Sequence, residues 1–257
     1  MINIVLCGCF GRMGKMITQL VQSTPNMNIV AGTDVVGAPD DVCFPAFTTI
    51  RDCEVEADVM LCFLPPTAHD ELLAVLDYAE KHRTPLILGT TAMSEDVLNA
   101  VDQTSKKVAI LQSANMSLGI NLLVNMIGKA AKLLYDSGFD TEIIEKHHNK
   151  KLDAPSGTAF LLADAINHAL NDKMTIITDR STHKHERASD EIGIQAIRAG
   201  SIIGEHSVIF AGQDEVIELK HSAASRDVFG MGALKAAAFI YKKPAGLYSM
   251  QDVINHA

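Results

Sequence analysis

The sequence predicts an α/β protein with a parallel-sheet domain followed by a second, α+β domain that has a mixed sheet. Strand-like and helix-like segments alternate regularly over the first 116 residues, which is typical of a parallel sheet with right-handed helical crossovers. After one long helical segment, most remaining segments have β-type composition and no regular helices between them. We therefore expect a first domain at residues 1–116 and 226–257 and a second at residues 117–225.

The first domain is expected to alternate from its first residues onward. Its elements follow from apolar runs, turn residues and N-caps, with Thr67 and Ser94 expected to begin helices. The predicted strands are residues 2–7, 28–33, 58–64, 86–88 and 107–111, and the predicted helices are residues 15–22, 67–82 and 94–103. A last helix at residues 227–241 could return to cover this sheet.

The second domain begins with a long helix at residues 117–135. Strand-like residues 141–144 and a helix at residues 159–170 follow, and residues 212–214 form a hairpin-type turn. The other predicted strands are residues 174–178, 192–199, 207–211 and 215–221.

The composition argues against several classes of protein. The net charge is −9 and the sequence pI is about 5.5, which disfavours a nucleic-acid or anionic-membrane partner because both attract a basic surface. No apolar run approaches the roughly 20 residues of a transmembrane helix. The 5 cysteines are odd in number, so we expect buried free thiols and a reducing cytoplasm rather than a disulfide framework.

The glycine turn at residues 8–14 lies between the first strand and the first helix. With Asp34 after the second strand, this order is typical of a Rossmann-type, dinucleotide-binding unit. Glycines let the backbone approach a pyrophosphate, and free N–H groups at a helix N-terminus bind its charge. The spacing of Gly8, Gly11 and Gly14 differs from the standard motif, so the alternative is a turn that serves only helix–strand packing.

Ligands of open parallel sheets bind beyond the carboxyl ends of the strands. The glycine turn, Asp34 and residues 63–66, 89–91 and 113–116 all follow predicted strands. We expect them along one rim of the sheet, with residues 89–91 small and polar enough for a nicotinamide ring to lie against the backbone.

The charged stretch at residues 145–159 holds two histidines, three lysines and two acids. We interpret it as a loop between a strand and a helix. Ser156 is a favourable N-cap, and N–H groups near Gly157 could hold a carboxylate. Histidine titrates near neutral pH, so the stretch suits a small dianionic substrate that is protonated as it is reduced. The alternative is a basic surface loop.

A second histidine pair, His183 and His185, lies in a polar segment at residues 180–187. A pair spaced by one residue without a third ligand nearby is weak support for a metal site. We interpret the segment as a solvated loop and predict no metal.

The charged stretch resembles the signature of the 4-hydroxy-tetrahydrodipicolinate reductase family, long called dihydrodipicolinate reductase. Its Glu145-x-His147-His148-x-x-Lys151-x-Asp153-Ala154-Pro155-Ser156-Gly157-Thr158-Ala159 pattern is long and specific. Further landmarks follow in order over essentially the whole chain, at residues 11–14, 89–91, 114–119, 198–200 and 204–206.

The resemblance implies a cytoplasmic enzyme of lysine and diaminopimelate synthesis that reduces 4-hydroxy-tetrahydrodipicolinate with NADH or NADPH. It implies His147 as proton donor or acceptor, Lys151 as proton donor, and a homotetramer assembled through the second domain's sheet. The substrate, a small dicarboxylate, would be held by His148, Ser156, Gly157 and Thr158. The cofactor would be held by Gly8, Cys9, Phe10, Gly11, Arg12, Met13, Asp34, Gly89, Thr90, Thr91, Ser113, Ala114, Asn115 and Met116.

The sequence favours NADH over NADPH. Asp34 suits a free ribose 2′-hydroxyl, and Val35 stands where family members that use NADPH often have arginine; Arg12 is the cation that could offset this. Other departures from the family are Cys9 and Phe10 in the glycine turn, Leu64 and Pro65 in place of threonine and arginine, and Ala92 in place of a glycine.

Two other functions remain open from the sequence alone. One is a dinucleotide sensor that binds NADH without turnover, and the other is a dehydrogenase of a different substrate. The charged stretch discriminates against the sensor, because a sensor has no need for His147 and Lys151 beside an anion-binding helix start.

Overall fold

The chain forms two units, each with its own sheet and core, in a computed structural model that describes residues 1–36 and 42–256. The first unit is Met1–Leu118 with Asp227–Ala257, and the second is Gly119–Arg226. Residue 257, the end of the predicted first domain, lies outside the described residues. None of the described helices is long and apolar enough to cross a membrane.

Twelve strands and seven α-helices make up the described part of the chain. Two short 3-10 helices, Ile50–Asp52 and Arg180–Thr182, lie between them. In chain order the elements are β1 (Ile2–Cys7), α1 (Arg12–Gln22), β2 (Met27–Thr33), β3 (Ala46–Phe47), β4 (Val59–Cys62), α2 (His69–His82), β5 (Leu86–Leu88), α3 (Glu95–Ser105), β6 (Ala109–Gln112), α4 (Leu118–Asp136), β7 (Asp140–His147), α5 (Gly157–Ala169), β8 (Thr175–Ile177), β9 (Glu191–Arg198), β10 (Gly204–Ala211), β11 (Val216–Ala223), α6 (Asp227–Ile240), β12 (Gly246–Tyr248) and α7 (Met250–Asn255).

The first unit is a parallel sheet with helices on both faces, as the sequence predicts. Its seven strands run in the order β12-β6-β5-β4-β1-β2-β3, and every described pairing is parallel. Ile4 and Leu6 of β1 pack with α1, α6 and α7, whereas Val5 and Cys7 pack with α2 and α3. Because successive side chains point to opposite faces of a strand, both faces are buried. The prediction that the last long helix covers this sheet is confirmed.

The second unit carries a mixed sheet in the order β11-β10-β7-β9-β8. Strand β7 is central, pairing parallel with β9 and antiparallel with β10. Helices α4 and α5 pack on one face, where Leu123, Ile127, Leu162, Ile143 and Phe210 share a buried cluster. The hairpin-type turn predicted at residues 212–214 joins β10 to β11, with the Gly212 N–H bonded to the Glu215 carbonyl.

Two predicted helix starts are wrong. Helix α1 begins at Arg12 rather than residue 15, because the chain leaves its extended conformation at Gly11. Helix α2 begins at His69 with Ala68 as N-cap and no side-chain capping bond, so Thr67 is not the cap. The sequence prediction also omits β3, β12 and α7. Two of these are strands of only two and three residues, too short to give a periodic pattern.

Candidate active site

The glycine turn brings three backbone segments into close contact. Gly8 has φ +81°, a conformation that L side chains rarely adopt. Gly14 already lies in α1, and a Cβ there would stand 2.2 Å from the Gly8 carbonyl oxygen. Gly11 is the N-cap of α1 and supplies no side-chain oxygen. The first N–H groups of α1 are therefore left for an anionic ligand.

Asp34 fixes the glycine turn from the end of β2. Its Oδ2 accepts the Phe10 N–H at 2.9 Å and its Oδ1 accepts the Val36 N–H at 3.2 Å. The residue is only 9% exposed. Each carboxylate oxygen keeps a further acceptor position, so ribose hydroxyls could still bind there.

Two nonpolar side chains among the predicted cofactor residues, those of Cys9 and Met116, are buried. Cys9 packs against Gly32, and burial raises the pKa of its thiol to about 12. Met116 lies in the core, where its carbonyl oxygen would be 1.7 Å from a Cβ at Gly232. Cys9 and Met116 can therefore offer only backbone atoms to a ligand. Arg12 is exposed and Met13 half-buried in the first turn of α1.

The ends of β5 and β6 are occupied by local contacts. A Cβ at Gly89 would stand 2.3 Å from the Phe63 ring, so this glycine leaves room for a phenylalanine. The buried Thr90 hydroxyl donates to the Leu64 carbonyl at 2.8 Å. Thr91 remains exposed. The small, polar residues 89–91, expected to let a nicotinamide ring lie against the backbone, are thus bordered by the Phe63 ring.

The segment after β6 is held by its own side chains. The Ser113 hydroxyl donates to the Asn115 carbonyl at 2.8 Å, and the Asn115 side-chain oxygen accepts the Ser117 N–H at 2.9 Å. Ala114 is exposed between them. Backbone and side-chain groups of this segment therefore have fixed directions at the carboxyl end of the sheet.

In the second unit, the interpretation of the charged stretch as a loop is wrong at both ends. Glu145, Lys146 and His147 are the last residues of β7, and α5 begins at Gly157. The strand extends this far because β9 and β10 pair with these residues on either side. Strand pairing therefore orients Glu145 and His147.

Glu145, His147, Ser156 and Arg198 form a hydrogen-bonded cluster that we call the Glu145 network. The Glu145 carboxylate is bonded by His147 Nδ1 at 2.6 Å, by the Ser156 N–H at 2.9 Å, and by the Arg198 guanidinium at 2.6 and 2.8 Å. Burial alone would raise the pKa of Glu145, but the bonds from Arg198 and His147 outweigh it and lower that pKa. Glu145 is thus a buried anion.

The surroundings of His147 favour its neutral imidazole form. Burial lowers its pKa, and the nearby cations Lys151 and Arg198 act in the same direction against the opposing effect of Glu145. Because an ionised carboxylate only accepts hydrogen bonds, the contact with Glu145 favours a proton on Nδ1, which would leave Nε2 as the acceptor. Gly204 leaves space beside Nε2, where a Cβ would stand at 3.2 Å.

The start of α5 is open on one side. Ser156 is its N-cap, with Oγ accepting the Ala159 N–H at 3.2 Å. Gly157 is exposed, and a Cβ built there would meet nothing within 4 Å among the described residues. Thr158 is half-buried next to it. This arrangement can receive a carboxylate at the positive end of the helix dipole.

His206 supports this helix start from β10. Its Nε2 lies 3.1 Å from Ser156 Oγ, and its ring meets the His147 ring edge-on at 5.2 Å between centroids. Burial, with the nearby His147, lowers the pKa of His206 to about 4. The ring is therefore neutral at physiological pH.

The lysines of the charged stretch have unequal surroundings. Lys151 Nζ donates to Asp153 at 2.8 Å, whereas Lys150 is exposed. Lys146 lies 3.5 Å from Glu205. The half-buried His148 has its Nε2 3.5 Å from Arg226, a cation that the sequence prediction did not include.

Sequence reasoning also missed Arg198 and His206 as members of the site. Their partners lie 53 and 50 positions away in the chain, and sequence spacing gives no indication of such pairs. One signal was available: Glu145 alternates with the buried Ile143 on the core side of a strand. An acid at such a position needs a buried partner.

Most of the segment at residues 180–187 is exposed, as predicted, and its two arginines anchor it at either end. Arg187 donates to Asp140 at 2.6 Å and to Glu142 at 3.1 Å, and Arg180 pairs with Glu191. The rings of His183 and His185 are 5.2 Å apart. Across residues 1–36 and 42–256, no three His, Cys, Asp or Glu residues group as a metal site would require.

Family models and curated relatives match both units. The model described as the N-terminus of dihydrodipicolinate reductase matches residues 2–116, and the model of its C-terminus matches residues 119–254. A 4-hydroxy-tetrahydrodipicolinate reductase of Caldanaerobacter subterraneus is 46% identical over 254 residues, covering 99% of this chain and 98% of the relative. One from Clostridium tetani is 47% identical over 255 residues with the same coverage.

Solved structures agree in fold. A dipicolinate-bound dihydrodipicolinate reductase from Paenisporosarcina sp. TG-14 superposes with a TM-score of 0.81 at 23% identity, covering 98% of this chain and 99% of that one. A diaminopimelate dehydrogenase of C. glutamicum has a TM-score of 0.58 at 12% identity, with 98% and 93% covered. From the two family models and the curated relatives, the chain belongs to the dihydrodipicolinate reductase family.

Proposed function

We propose that this chain reduces 4-hydroxy-tetrahydrodipicolinate to tetrahydrodipicolinate with loss of water, using NADH or NADPH, in lysine and diaminopimelate synthesis. The observation that carries the proposal is the contact of His147 Nδ1 with the buried Glu145 carboxylate at 2.6 Å, beside the open helix start of α5. Relatives of this name at 46–47% identity over nearly the full chain support the same reaction.

The residues of the first unit fit a pyridine dinucleotide. The tight Gly8–Gly14 approach leaves no room for side chains, and the N-cap glycine leaves the first N–H groups of α1 for a pyrophosphate. When bound, the nicotinamide supplies a hydride to the substrate. We propose that the fourteen positions predicted from the resemblance hold it, with Cys9 and Met116 contributing backbone only.

Proton handling belongs to the second unit. His147 Nε2 is an acceptor and can take or return a proton, while the Lys151 ammonium can donate one. Positive charge from Lys151 also stabilises an electron-rich ring as it forms. Lys151 donates one of its three N–H groups to Asp153, and an ammonium can donate to the substrate with another.

The substrate's two carboxylates match two donor groups of the same unit. One group is the start of α5, where Gly157 and Thr158 follow the N-cap Ser156 and Gly157 lies exposed at the helix N-terminus. The other is the half-buried His148 with Arg226 at 3.5 Å. These donors support a small dicarboxylate as the ligand.

We propose NADH as the preferred cofactor. Asp34 is held in place by two N–H groups, so a 2′-phosphate would meet a fixed negative charge. Val35 is 66% exposed and offers no cation, and the sequence from Val35 to Val42 contains no lysine or arginine. Arg12 is the cation within the glycine turn, and it is exposed.

We also propose that the chain works as a cytoplasmic homotetramer assembled through the sheet of the second unit. The proposed interface is the face of this sheet away from α4 and α5, which exposes the apolar side chains of Ile197 (42%) and Val216 (64%). Free thiols at all five cysteines suit a reducing compartment. Sedimentation of the purified chain tests the assembly, and a monomer would contradict it.

The reaction is tested by NADH oxidation with substrate formed in situ from pyruvate and aspartate semialdehyde. We expect absorbance loss at the nicotinamide band that depends on both precursors. Clear NADH binding without turnover would refute the reductase and favour the dinucleotide sensor.

A further inference from the structure

The carboxylate of Glu145 has no exposed surface, and donors surround it completely. Its Oε2 accepts from His147 Nδ1 and Arg198 Nη1, and its Oε1 accepts from the Ser156 N–H and Arg198 Nη2. A carboxylate has about four lone-pair positions, so these four donors use them all. Glu145 therefore has no position left for a ligand or for water.

We propose that Glu145 is a positioning residue that holds His147 in the Nδ1–H tautomer and at the same time fixes the N-terminus of α5. One carboxylate thereby aligns the proton-accepting Nε2 with the N–H groups that receive the substrate's carboxylate. This inference rests on the proposed function for its catalytic consequence, but not for the tautomer itself.

A purely structural role for this buried pair explains less. A buried ion pair is often no more stabilising than apolar residues of similar volume, so stability alone does not require Glu145 and Arg198. The charged and titratable groups that face His147 are Glu145 on its own strand, Arg198 on β9, His206 on β10 and Lys151 from the following loop. Of these four, Glu145 makes the hydrogen bond to Nδ1.

Replacing Glu145 by glutamine makes the inference testable. A glutamine side chain has one oxygen and one NH2 group. The NH2 group must therefore face a hydrogen-bond donor, either His147 Nδ1–H or the Ser156 N–H. The Ser156 N–H is a backbone group and cannot become an acceptor, whereas His147 can move its proton to Nε2. The NH2 group is therefore expected to face His147, whose Nδ1 then accepts and whose Nε2 no longer can.

The experiment is ¹⁵N NMR of the histidine-labelled full chain with NADH, in which the His147 signals are assigned by their loss in His147→Gln. We expect the Nδ1–H tautomer in the wild type and the Nε2–H tautomer in Glu145→Gln. Turnover of Glu145→Gln should fall at least about 100-fold, because the proton acceptor is lost. NADH affinity should change less than about 2-fold.

Glu71→Gln is the matched control. Glu71 also accepts a backbone N–H, from Ile50, and a side-chain bond, from Thr49, but it lies in the first unit. This substitution should leave both the His147 tautomer and turnover unchanged within about 3-fold, even where it lowers stability.

Two results would overturn the inference: an Nε2–H tautomer of His147 in the wild type, or a folded Glu145→Gln chain that keeps the Nδ1–H tautomer. If Glu145→Gln does not fold, the wild-type spectrum decides alone. The spectrum needs no substrate, so a wild type with the Nδ1–H tautomer but without turnover would refute the proposed function and not the tautomer assignment.

Discussion

The glycine turn of the first unit and the charged stretch of the second build their candidate sites from different parts of the chain. In the glycine turn, backbone groups face the proposed ligand, and the Cys9 side chain is buried in the core. In the charged stretch, side chains carry the chemistry and are fixed by partners about 50 residues away. Side-chain changes in the second unit that abolish turnover should therefore leave cofactor binding by the first unit intact.

The sharpest test of this contrast is Lys151→Ala. Turnover should fall at least about 100-fold, since a positioned proton donor contributes about 10²–10⁴-fold, while NADH affinity should stay nearly constant. Steady-state kinetics and NADH titration measure the two effects. Lys146→Ala removes the same charge at a residue outside the proposed machinery and should stay within about 3-fold. A fully active Lys151→Ala chain would show that this lysine is not the proton donor.

The buried His206 predicts how the second unit responds to acid. Its folded pKa of about 4 lies below the ordinary 6.5, so the unfolded chain binds the proton more readily. Stability from this group is complete above about pH 6.5 and is lost as the pH falls toward 4, by up to about 3 kcal/mol.

Chemical denaturation from pH 7 to 4 measures this loss. The His206→Gln chain should lose less stability over that range than the wild type, whereas His168→Gln, which replaces an exposed histidine, should follow the wild type. Equal slopes in all three chains would mean that His206 is not held neutral.

The preference between NADH and NADPH should change when one cationic side chain is added next to Asp34. Val35→Arg supplies a charge-assisted hydrogen bond worth roughly 1.5–3 kcal/mol, so kcat/KM with NADPH should rise about 10- to 100-fold. Leu247→Arg adds the same charge at another exposed position of the first unit and should have little effect. Unchanged NADPH kinetics in Val35→Arg would remove Asp34 and Val35 as the determinants of preference.

The smallest expected effect concerns the backbone itself. Ala92 has φ +53°, a left-handed conformation that costs a non-glycine residue about 1–2 kcal/mol. Glycine relieves this strain but is more flexible in the unfolded chain, which costs part of the gain. Ala92→Gly should therefore stabilise the folded chain by roughly 0.5–1 kcal/mol. Gly138→Ala, at φ +81° with nothing near its Cβ position, should have the opposite sign. Thermal unfolding distinguishes them, and a destabilised Ala92→Gly would contradict the strain at this position.

The sequence predicted the glycine turn in more structural detail than the Glu145 network. The order of β1, glycine turn, α1, β2 and Asp34 is local, so adjacent residues suffice to predict it. The Glu145 network depends on β7 pairing with β9, which brings Arg198 beside Glu145 over 53 positions. Its signature could be matched to a family, but its hydrogen bonds could not be inferred from spacing.

The central claim is that the first unit binds the cofactor and the second supplies the proton. Transfer of deuterium from NADH labelled on its nicotinamide tests this claim most directly. We expect mass spectrometry of the trapped product to show one deuterium per product molecule with the wild type, and Lys151→Ala to form at least about 100-fold less labelled product in the same time, while both chains bind the labelled cofactor equally. Loss of cofactor binding in Lys151→Ala, or bound cofactor that transfers no deuterium in the wild type, would contradict the account.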